Sequence, residues 1–258
     1  MIGIVGGYGL HESVRLENVE EKSISTKFGE PSSPIITGKF QNQSVAFLAR
    51  HGKNHSINPS NVNYRANIGA FKQLGVTHIL SISAVGSLQE NIHPGELVVL
   101  DQFIDRTTKR IQTFYDDEKV CHISVAEPFC PYLRSIIISD LQNRKVSFHS
   151  KGIYVCIEGP RFSTKAESKL FQSWNAHVVG MTLVPESVLA REAEMCFASV
   201  ALVTDYDSFK EKPVSADEII KTMKQNTQKS KGLLESVIPK ISSERNCSCG
   251  SALKNAFV

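Results

Sequence analysis

Short apolar runs alternate with segments of helical spacing along this chain, and this alternation limits the fold more than any other feature. The last apolar run, Phe197–Val203, is interpreted as a buried strand, and a long helix then begins near Ser215 and reaches about Val237. Strands that alternate with helices predict an α/β layer fold with a largely parallel sheet. No repeat or linker divides residues 1–241, so we expect one domain, followed by a tail over residues 242–258 that contains Cys-x-Cys.

The remaining predicted elements follow from apolar runs, helical spacing and capping signals. The predicted strands are Ile2–Val5, Val45–Leu48, His78–Ile82, Glu96–Leu100, Gly152–Ile157 and His177–Val179. The predicted helices are Asn63–Leu74, Tyr132–Leu141, Thr164–Trp174 and Pro185–Met195. Thr164 and Glu167 form a capping-box pattern at the start of the third of these helices.

Composition and charge exclude several classes of function. The 258 residues carry a net charge of only +3, and no basic run suggests a nucleic-acid-binding surface. No apolar stretch approaches the length of a membrane span. Residues 1–10 contain four glycines and no cationic leader, so they are interpreted as a strand and turn rather than a signal peptide. We therefore expect a cytoplasmic protein whose partners are small molecules, not nucleic acid or membrane.

The six cysteines leave the redox state open. Only Cys247-Ser248-Cys249 has a suggestive spacing, and no second Cys/His pair in the sequence completes a zinc site beside it, so no metal is expected. Six reduced thiols are expected in a mesophilic cytosolic protein, whereas disulfides would be compatible with a thermophilic one.

Two carboxylates stand at the predicted end of the last strand. Asp205 and Asp207 follow the apolar run Phe197–Val203. Ligands of open α/β sheets bind at the carboxyl ends of strands. A carboxylate pair there suits the N7/N6 edge of adenine, and the alternative is a solvated Asp-Tyr-Asp turn.

Four further motifs at predicted strand ends share donors for an anion. They are the glycine turn Gly6-Gly7-Tyr8-Gly9, Arg50-His51-Gly52, Ser83-Ala84-Val85-Gly86-Ser87 and Gly180-Met181-Thr182. Backbone N–H groups, Arg, His and hydroxyls can all donate hydrogen bonds to a phosphate. Each motif alone could be structural, but together they predict an oxyanion site.

The chain also resembles the methylthioadenosine phosphorylase branch of the trimeric purine nucleoside phosphorylase family. The resemblance covers Ile2 to about Pro239 in family order, and the tail is similar to that of archaeal members. The matching stretches are residues 48–52, 62–68, 83–88, 101–105, 126–130, 157–163, 180–182 and 204–207.

This resemblance implies a single-domain three-layer α/β sandwich around a mixed, largely parallel sheet. It implies a pentosyltransferase of purine and methionine salvage that converts 5′-methylthioadenosine, with adenosine as a further candidate substrate, to adenine and 5-methylthioribose 1-phosphate. Inorganic phosphate would be a co-substrate, and no cofactor is expected. The assembly would be a homotrimer or a dimer of trimers.

The resemblance also implies roles for individual residues. Asp205 and Asp207 would face the purine, and Asp205 would deliver a proton to N7, so that it must keep that proton near neutral pH; burial beside Asp207 would favour this. The implied phosphate ligands are Gly7, Tyr8, Arg50, His51, Ser83 and Thr182. The implied nucleoside contacts are Ala84, Phe162, Ser163 and Met181, with His122, Ala216, Ile219 and Ile220 around the 5′ group.

One departure from the family pattern affects the predicted function. Tyr8 stands in the glycine turn where the family normally has Ser or Thr, so a weakly active or non-catalytic nucleoside-binding paralogue is an alternative. A 6-oxopurine nucleoside phosphorylase is a second alternative, although Asp207 argues against it.

Similarity to archaeal members also implies two disulfides. They would be Cys130–Cys196 and Cys247–Cys249, with Cys121 and Cys156 as thiols. Two further cysteines that those members often carry, near Arg191 and Gly250, are missing here.

Overall fold

A computed structural model gives the fold. It describes residues 1–7, 10, 14–117, 119–210 and 216–258, without the side chains of residues 216–221 and 223–225. The strands are β1 Ile2–Gly6, β2 Glu17–Lys22, β3 Ile35–Phe40, β4 Gln43–Ala49, β5 His78–Ser87, β6 Leu97–Val99, β7 Gln102–Arg106, β8 Phe148–His149, β9 Ile153–Ile157, β10 Val178–Gly180 and β11 Cys196–Tyr206. The helices are α1 Tyr64–Gln73, α2 Pro131–Asn143, α3 Lys165–Ser173, α4 Leu183–Glu192 and α5 Ala216–Val237.

The described strands form one mixed sheet in the order β2-β3-β4-β1-β5-β10-β9-β7, with β11 also paired to β5 and β6 to β11. The central pairs β4–β1, β1–β5 and β5–β11 are parallel, whereas β2–β3, β3–β4, β5–β10 and β6–β11 are antiparallel. The carboxyl ends of β4, β1, β5 and β11 therefore meet at one edge of the sheet.

Helices cover both faces of the central strands. Along β5, Ile79 packs in the core beneath α1 and α4, whereas its neighbour Leu80 packs in the core beneath α2 and α5. Successive side chains of a strand point to opposite faces, so a central strand buried on both sides becomes a continuous apolar run. A third core joins Phe171 of α3 to Val155 of β9 and Val179 of β10. The predicted α/β three-layer sandwich is confirmed.

The predicted ends of two central strands were wrong. β5 continues to Ser87 and β11 continues to Tyr206, instead of ending at Ile82 and Val203. The ladder continues past a bulge after Val203, which shifts the register by one residue and pairs Asp205 with Gly86. Asp205 therefore lies on a strand and not in the loop that the sequence suggested.

The C-terminal segment, residues 242–258, lies against the domain. Ala256 is buried, its carbonyl accepts a hydrogen bond from the His122 backbone N–H at 2.7 Å, and Phe257 forms a β-bridge with Cys121. Cys249 is 2% exposed. Among the described residues, no helix is both long and apolar enough to span a bilayer.

All six cysteines are free thiols in the structure, so the implied disulfides Cys130–Cys196 and Cys247–Cys249 are absent. The four residues do meet, but the sulfur atoms of Cys130, Cys196, Cys247 and Cys249 form one group within 4.8 Å instead of two bonded pairs. A disulfide would require a separation near 2.05 Å.

Candidate active site at the carboxyl edge of the sheet

Arg50 anchors the part of the candidate site that lies at the end of β4. It directly follows β4, and its backbone N–H donates to the carbonyl of Gly6 at 2.9 Å. Its guanidinium is buried and paired with the fully buried carboxylate of Glu186 on α4, through Nε at 2.7 Å and Nη2 at 3.0 Å. It also donates to Ser81 Oγ at 2.9 Å and to the carbonyl of Ile82 at 3.2 Å. Four of the five guanidinium N–H groups are thus engaged, which fixes the plane of Arg50.

His51 is held as a neutral imidazole. Its Nδ1 lies 2.9 Å from the carbonyl of Ile57, and its ring stacks on His55 with centroids 4.2 Å apart. Burial, together with the positive charge of Arg50, lowers the pKa of His51 to about 4. Because a carbonyl oxygen can only accept, Nδ1 carries the ring proton and Nε2 is left as an acceptor.

Two hydroxyl-bearing residues complete this end of the site. Ser83 Oγ on β5 is buried, and no hydrogen-bond partner exists for it among the described residues. Thr182 is the N-cap of α4, where it makes no side-chain capping bond, and its backbone N–H donates to Tyr154 OH at 3.3 Å. Backbone N–H groups at a helix N-terminus favour anions.

Gly86 brings the two carboxylates together at the other end. A Cβ built on this glycine would lie 3.3 Å from Asp205 Oδ2 and 3.4 Å from Asp207 Cβ. The backbone N–H of Asp207 extends the ladder by donating to the carbonyl of Ser87 at 2.8 Å. The close approach of the two acids to β5 therefore depends on the missing side chain at position 86.

Asp207 lies in a polar pocket with unused hydrogen-bonding capacity. Its Oδ2 atom and the hydroxyls of Ser163 and Ser168 are buried without a partner at bonding distance in the described part of the chain. Burial raises the pKa of Asp207, and the nearby hydroxyls offset only part of that effect. Buried polar atoms are normally paired, so this group is a candidate for ligand contact.

Thr204 connects Asp205 to the strand. Its Oγ1 lies 3.1 Å from the carbonyl of Val85 and 2.6 Å from Asp205 Oδ1. A hydroxyl has one hydrogen, and a carbonyl cannot donate. The one hydrogen is therefore shared between the two acceptors or points to one of them, and the 2.6 Å separation is typical of a hydroxyl that donates to a carboxylate.

Comparison with known proteins matches this geometry to one family. Residues 1–239 match the model of the phosphorylase superfamily. The S-methyl-5′-thioadenosine phosphorylase of Thermofilum pendens is 52% identical over 257 residues, covering 100% of this chain and 98% of that protein. The enzyme of the same name from Danio rerio is 50% identical, covering 93% and 88%. This chain belongs to the methylthioadenosine phosphorylase family.

Solved structures from the family have the same fold. A methylthioadenosine phosphorylase from an antarctic soil metagenomic library superposes with a TM-score of 0.94 at 44% identity, covering 100% of this chain and 92% of that one. The methylthioadenosine phosphorylase of Schistosoma mansoni, solved in complex with adenine, gives a TM-score of 0.91 at 38% identity, covering 98% and 96%.

The structure describes some of the other predicted site residues of this phosphorylase family member and leaves others outside the described residues. Met181 packs against Gly159, where a Cβ would lie 2.5 Å from its Sδ, and Ala84 lies on β5 next to Ser83. Gly7 and Phe162 are exposed, the latter by 43%. Tyr8 and the side chains of Ala216, Ile219 and Ile220 lie outside the described residues.

Within one chain, His122 and Thr182 lie near opposite ends of α4. His122 is exposed and bonded to the C-terminal segment, near Tyr115 and Phe257. Tyr115 lies near Glu192 at the carboxyl end of α4, and Glu192 accepts a hydrogen bond from the backbone N–H of Phe114. Thr182 lies at the opposite end of that helix, roughly 15 Å away for ten residues.

Several polar residues that support the site in this phosphorylase were not predicted from the sequence. Glu186 and Ser81 hold the Arg50 guanidinium, and Ser168 lies beside Asp207. Arg110 links Glu158 to the carbonyl of Val184 with bonds of 3.2 and 2.6 Å. The local sequence does not indicate these roles. Glu186, for example, lies in an ordinary helix pattern, and its partner Arg50 is 136 positions away in the chain.

Proposed function

We propose that this chain catalyses the phosphorolysis of 5′-methylthioadenosine to adenine and 5-methylthioribose 1-phosphate. A phosphate oxygen attacks the anomeric carbon, the glycosidic C–N bond breaks, and its electron pair leaves with the purine. The leaving purine then needs a proton at N7. An anion site beneath the sugar and an acid beside the base are therefore the two requirements.

The observation that carries the proposal is the pair of acids around Gly86. Thr204 donates to Asp205 Oδ1 and holds this carboxyl group beside Gly86, where Asp205 would serve as the general acid at N7. Asp207, whose pKa is raised by burial, has an unpaired Oδ2 that would accept the 6-amino group. The unpaired hydroxyl of Ser163 would complete the contacts with the base.

Phosphate would bind at the opposite end. The remaining N–H of Arg50 and the hydroxyls of Ser83 and Thr182 would donate to its oxygens, and Gly7 would add a backbone N–H beside Tyr8. Neutral His51 would accept a hydrogen bond from the P–OH of hydrogen phosphate through Nε2. The charge of Arg50 is already paired with Glu186, so Arg50 would orient the phosphate more than it would add positive charge to the site.

The nucleoside would lie between these ends. Met181 would pack under the ribose, Phe162 against the base and Ala84 between the subsites. The apolar residues Ala216, Ile219 and Ile220 would line the 5′ pocket and favour a methylthio group over a hydroxyl. One buried apolar group contributes about 1–3 kcal/mol to discrimination, so adenosine should be a poorer substrate and not an excluded one.

We also propose that the active unit is a homotrimer in the cytoplasm. His122 is exposed and separated from Thr182 by the length of α4, so it would join the 5′ pocket of a neighbouring copy and not its own. The exposed aromatic ring of Phe162 would be covered in the same contact. Pairing of trimers into a hexamer is the alternative assembly.

The two alternative functions make different demands on the site. A 6-oxopurine enzyme needs a donor facing O6, and a buried Asp207 accepts better than it donates when ionised. A non-catalytic paralogue would follow from a Tyr8 ring that occupies the phosphate site.

A substrate panel tests the proposal. Purified protein with phosphate is incubated with methylthioadenosine, adenosine, methylthioinosine or inosine, and free base is measured by chromatography. We expect specificity constants in the order methylthioadenosine, adenosine, then both 6-oxo nucleosides. Faster turnover of inosine would favour the 6-oxopurine enzyme, and no base release from any substrate would favour the paralogue.

A further inference from the structure

Four cysteines that the proposed reaction does not use converge at the end of the molecule where the C-terminal segment docks. Cys130 precedes α2, Cys196 begins β11, and Cys247 and Cys249 lie in the C-terminal segment. All four sulfur atoms lie within 4.8 Å of one another. We propose that Cys130, Cys196, Cys247 and Cys249 form a structural site for one divalent metal ion of the zinc class.

The spacing of the sulfur atoms fits a tetrahedral ion. Thiolates bind zinc at about 2.3 Å, which places the sulfur atoms of a regular tetrahedron about 3.8 Å apart. Cys247 Sγ lies 3.7 Å from Cys130 Sγ and 3.4 Å from Cys196 Sγ. These two short contacts share Cys247, so the group does not divide into the pairs that two disulfides require.

The surroundings fit a closed site with negative charge. Cys130, Cys196 and Cys249 are each at most 2% exposed, which leaves no open coordination position for a substrate. Four thiolates around a divalent ion carry two negative charges. Arg191 Nη1 donates to Cys249 Sγ at 3.6 Å, and a Cβ at neighbouring Gly250 would lie within 3 Å of the Arg245 guanidinium. Neutral thiols would need neither cation.

Hydrogen bonds to backbone carbonyl groups position the ligands independently of the metal. The N–H of Cys130 donates to the carbonyl of Phe197 at 2.8 Å, which fixes Cys130 beside Cys196. Arg245 donates to the carbonyl of Glu194 at 2.6 Å, and this bond positions the segment that carries Cys247 and Cys249. An ion at this point would tie the C-terminal segment to the start of β11 and to α2.

Metal content and thiol counting together test the proposal. The full chain, purified without chelator, is incubated with Zn²⁺, desalted and assayed for metal, and its thiols are then titrated in denaturant with chelator. We expect one ion per chain and six thiols. Two thiols without metal would show two disulfides, and six thiols without retained metal would show a simple thiol cluster; either result overturns the site.

Variants and cobalt locate the ion. Cys249→Ser should lose the stoichiometric ion, whereas Cys121→Ser, which removes a thiol outside the group, should retain it. Arg191→Ala keeps all four ligands and should weaken metal affinity about 10–100-fold. Because the serine variant could fold poorly, Co²⁺ is also added to metal-free wild-type protein. The visible absorption of a tetrahedral tetrathiolate complex supports the site, and its absence contradicts it.

Discussion

At the scale of single residues, the proposed reaction depends on where protons lie. The Thr204 hydroxyl donates to Asp205 Oδ1 at 2.6 Å and fixes that carboxyl group on β11. His51 is neutral, because burial and the charge of Arg50 lower its pKa. In the proposed reaction, Asp205 would carry a proton for the purine, and neutral His51 would accept a hydrogen bond from phosphate.

Replacement of Asp205 tests the acid directly. Asp205→Asn keeps the size of the side chain but cannot transfer a proton, so we expect kcat to fall about 10²–10⁴-fold. Adenine binding, measured by calorimetry, should change little. Asp207→Asn is the matched control, and it should alter the preference between 6-amino and 6-oxo purines more than kcat. Near-normal turnover of Asp205→Asn would remove the residue from its role.

Thr204→Val tests the direction of the short hydrogen bond. Because Thr204 donates to the carboxylate of Asp205, its loss makes the proton of Asp205 harder to remove, and we expect the alkaline limb of the kcat profile to move to higher pH. A hydrogen bond to a charged group, worth about 1.5–3 kcal/mol, corresponds to about 1–2 pH units. A shift of that limb to lower pH would mean that Thr204 accepts from protonated Asp205.

His51 gives the protein an acid-sensitive contribution to stability. Its pKa is about 4 in the folded chain, below its ordinary value of 6.5, so the unfolded chain binds more protons between these values. The contribution is complete above pH 6.5 and is lost as pH falls to 4, about 3 kcal/mol in all. The free energy of unfolding from urea titrations at several pH values should therefore fall less steeply with acid in His51→Gln than in wild type; parallel curves would contradict this.

At the scale of elements, α4 is attached to the sheet by a buried ion pair. Arg50 follows β4, and Glu186 lies one turn into α4, with side chains 2% and 0% exposed. The pair fixes the helix end that carries Thr182 relative to the strand ends that carry Arg50 and Ser83. The geometry of the proposed phosphate site therefore depends on this contact.

Breaking the pair should destabilise the whole domain. Glu186→Gln leaves the buried Arg50 charge without its partner, and we expect a loss of about 3–5 kcal/mol in the free energy of unfolding by urea. Asp116→Asn removes the carboxylate from the Arg65–Asp116 pair, where Asp116 is 41% exposed, and should cost at most about 1 kcal/mol. Equal losses for the two variants would argue against a special role for the buried pair.

Periodicity in the sequence predicted the central strands and helices, but it did not predict the strand β2 at the edge of the sheet. β1 and the capping box of α3 were predicted close to their observed positions, and the starts of β5 and β11 were predicted to within one residue, although both strands extend beyond their predicted ends. β2 has the sequence Glu-Asn-Val-Glu-Glu-Lys and is mostly exposed, so no apolar pattern marks it. It is a strand because it pairs with β3 at the edge of the sheet.

The same limit applies to the site. Arg50, Ser83 and Asp207 were predicted because motifs at strand ends carry polar residues. Glu186 and the grouping of Cys130 and Cys196 with the C-terminal cysteines were not, since their partners are far away in the chain. Tertiary pairing, and not local pattern, brings those residues together.

At the scale of the whole molecule, the fold places Arg50 and the two acids at one edge of a single sheet. β5 connects them, because Arg50 donates to Ser81 and to the carbonyl of Ile82, and Gly86 lies near both acids. In the proposed reaction, a nucleoside would lie between them, with its purine at the acids and its anomeric carbon toward the phosphate. The defining step of that reaction is that phosphate itself becomes bonded to the sugar.

Phosphorus NMR tests that claim most directly. The protein is incubated with methylthioadenosine and inorganic phosphate, and the phosphate signal is followed while adenine is measured in the same sample. We predict a new sugar-phosphate signal that grows mole for mole with adenine, and no adenine when phosphate is omitted. Adenine release that is independent of phosphate, or that leaves the phosphate signal unchanged, would contradict the account.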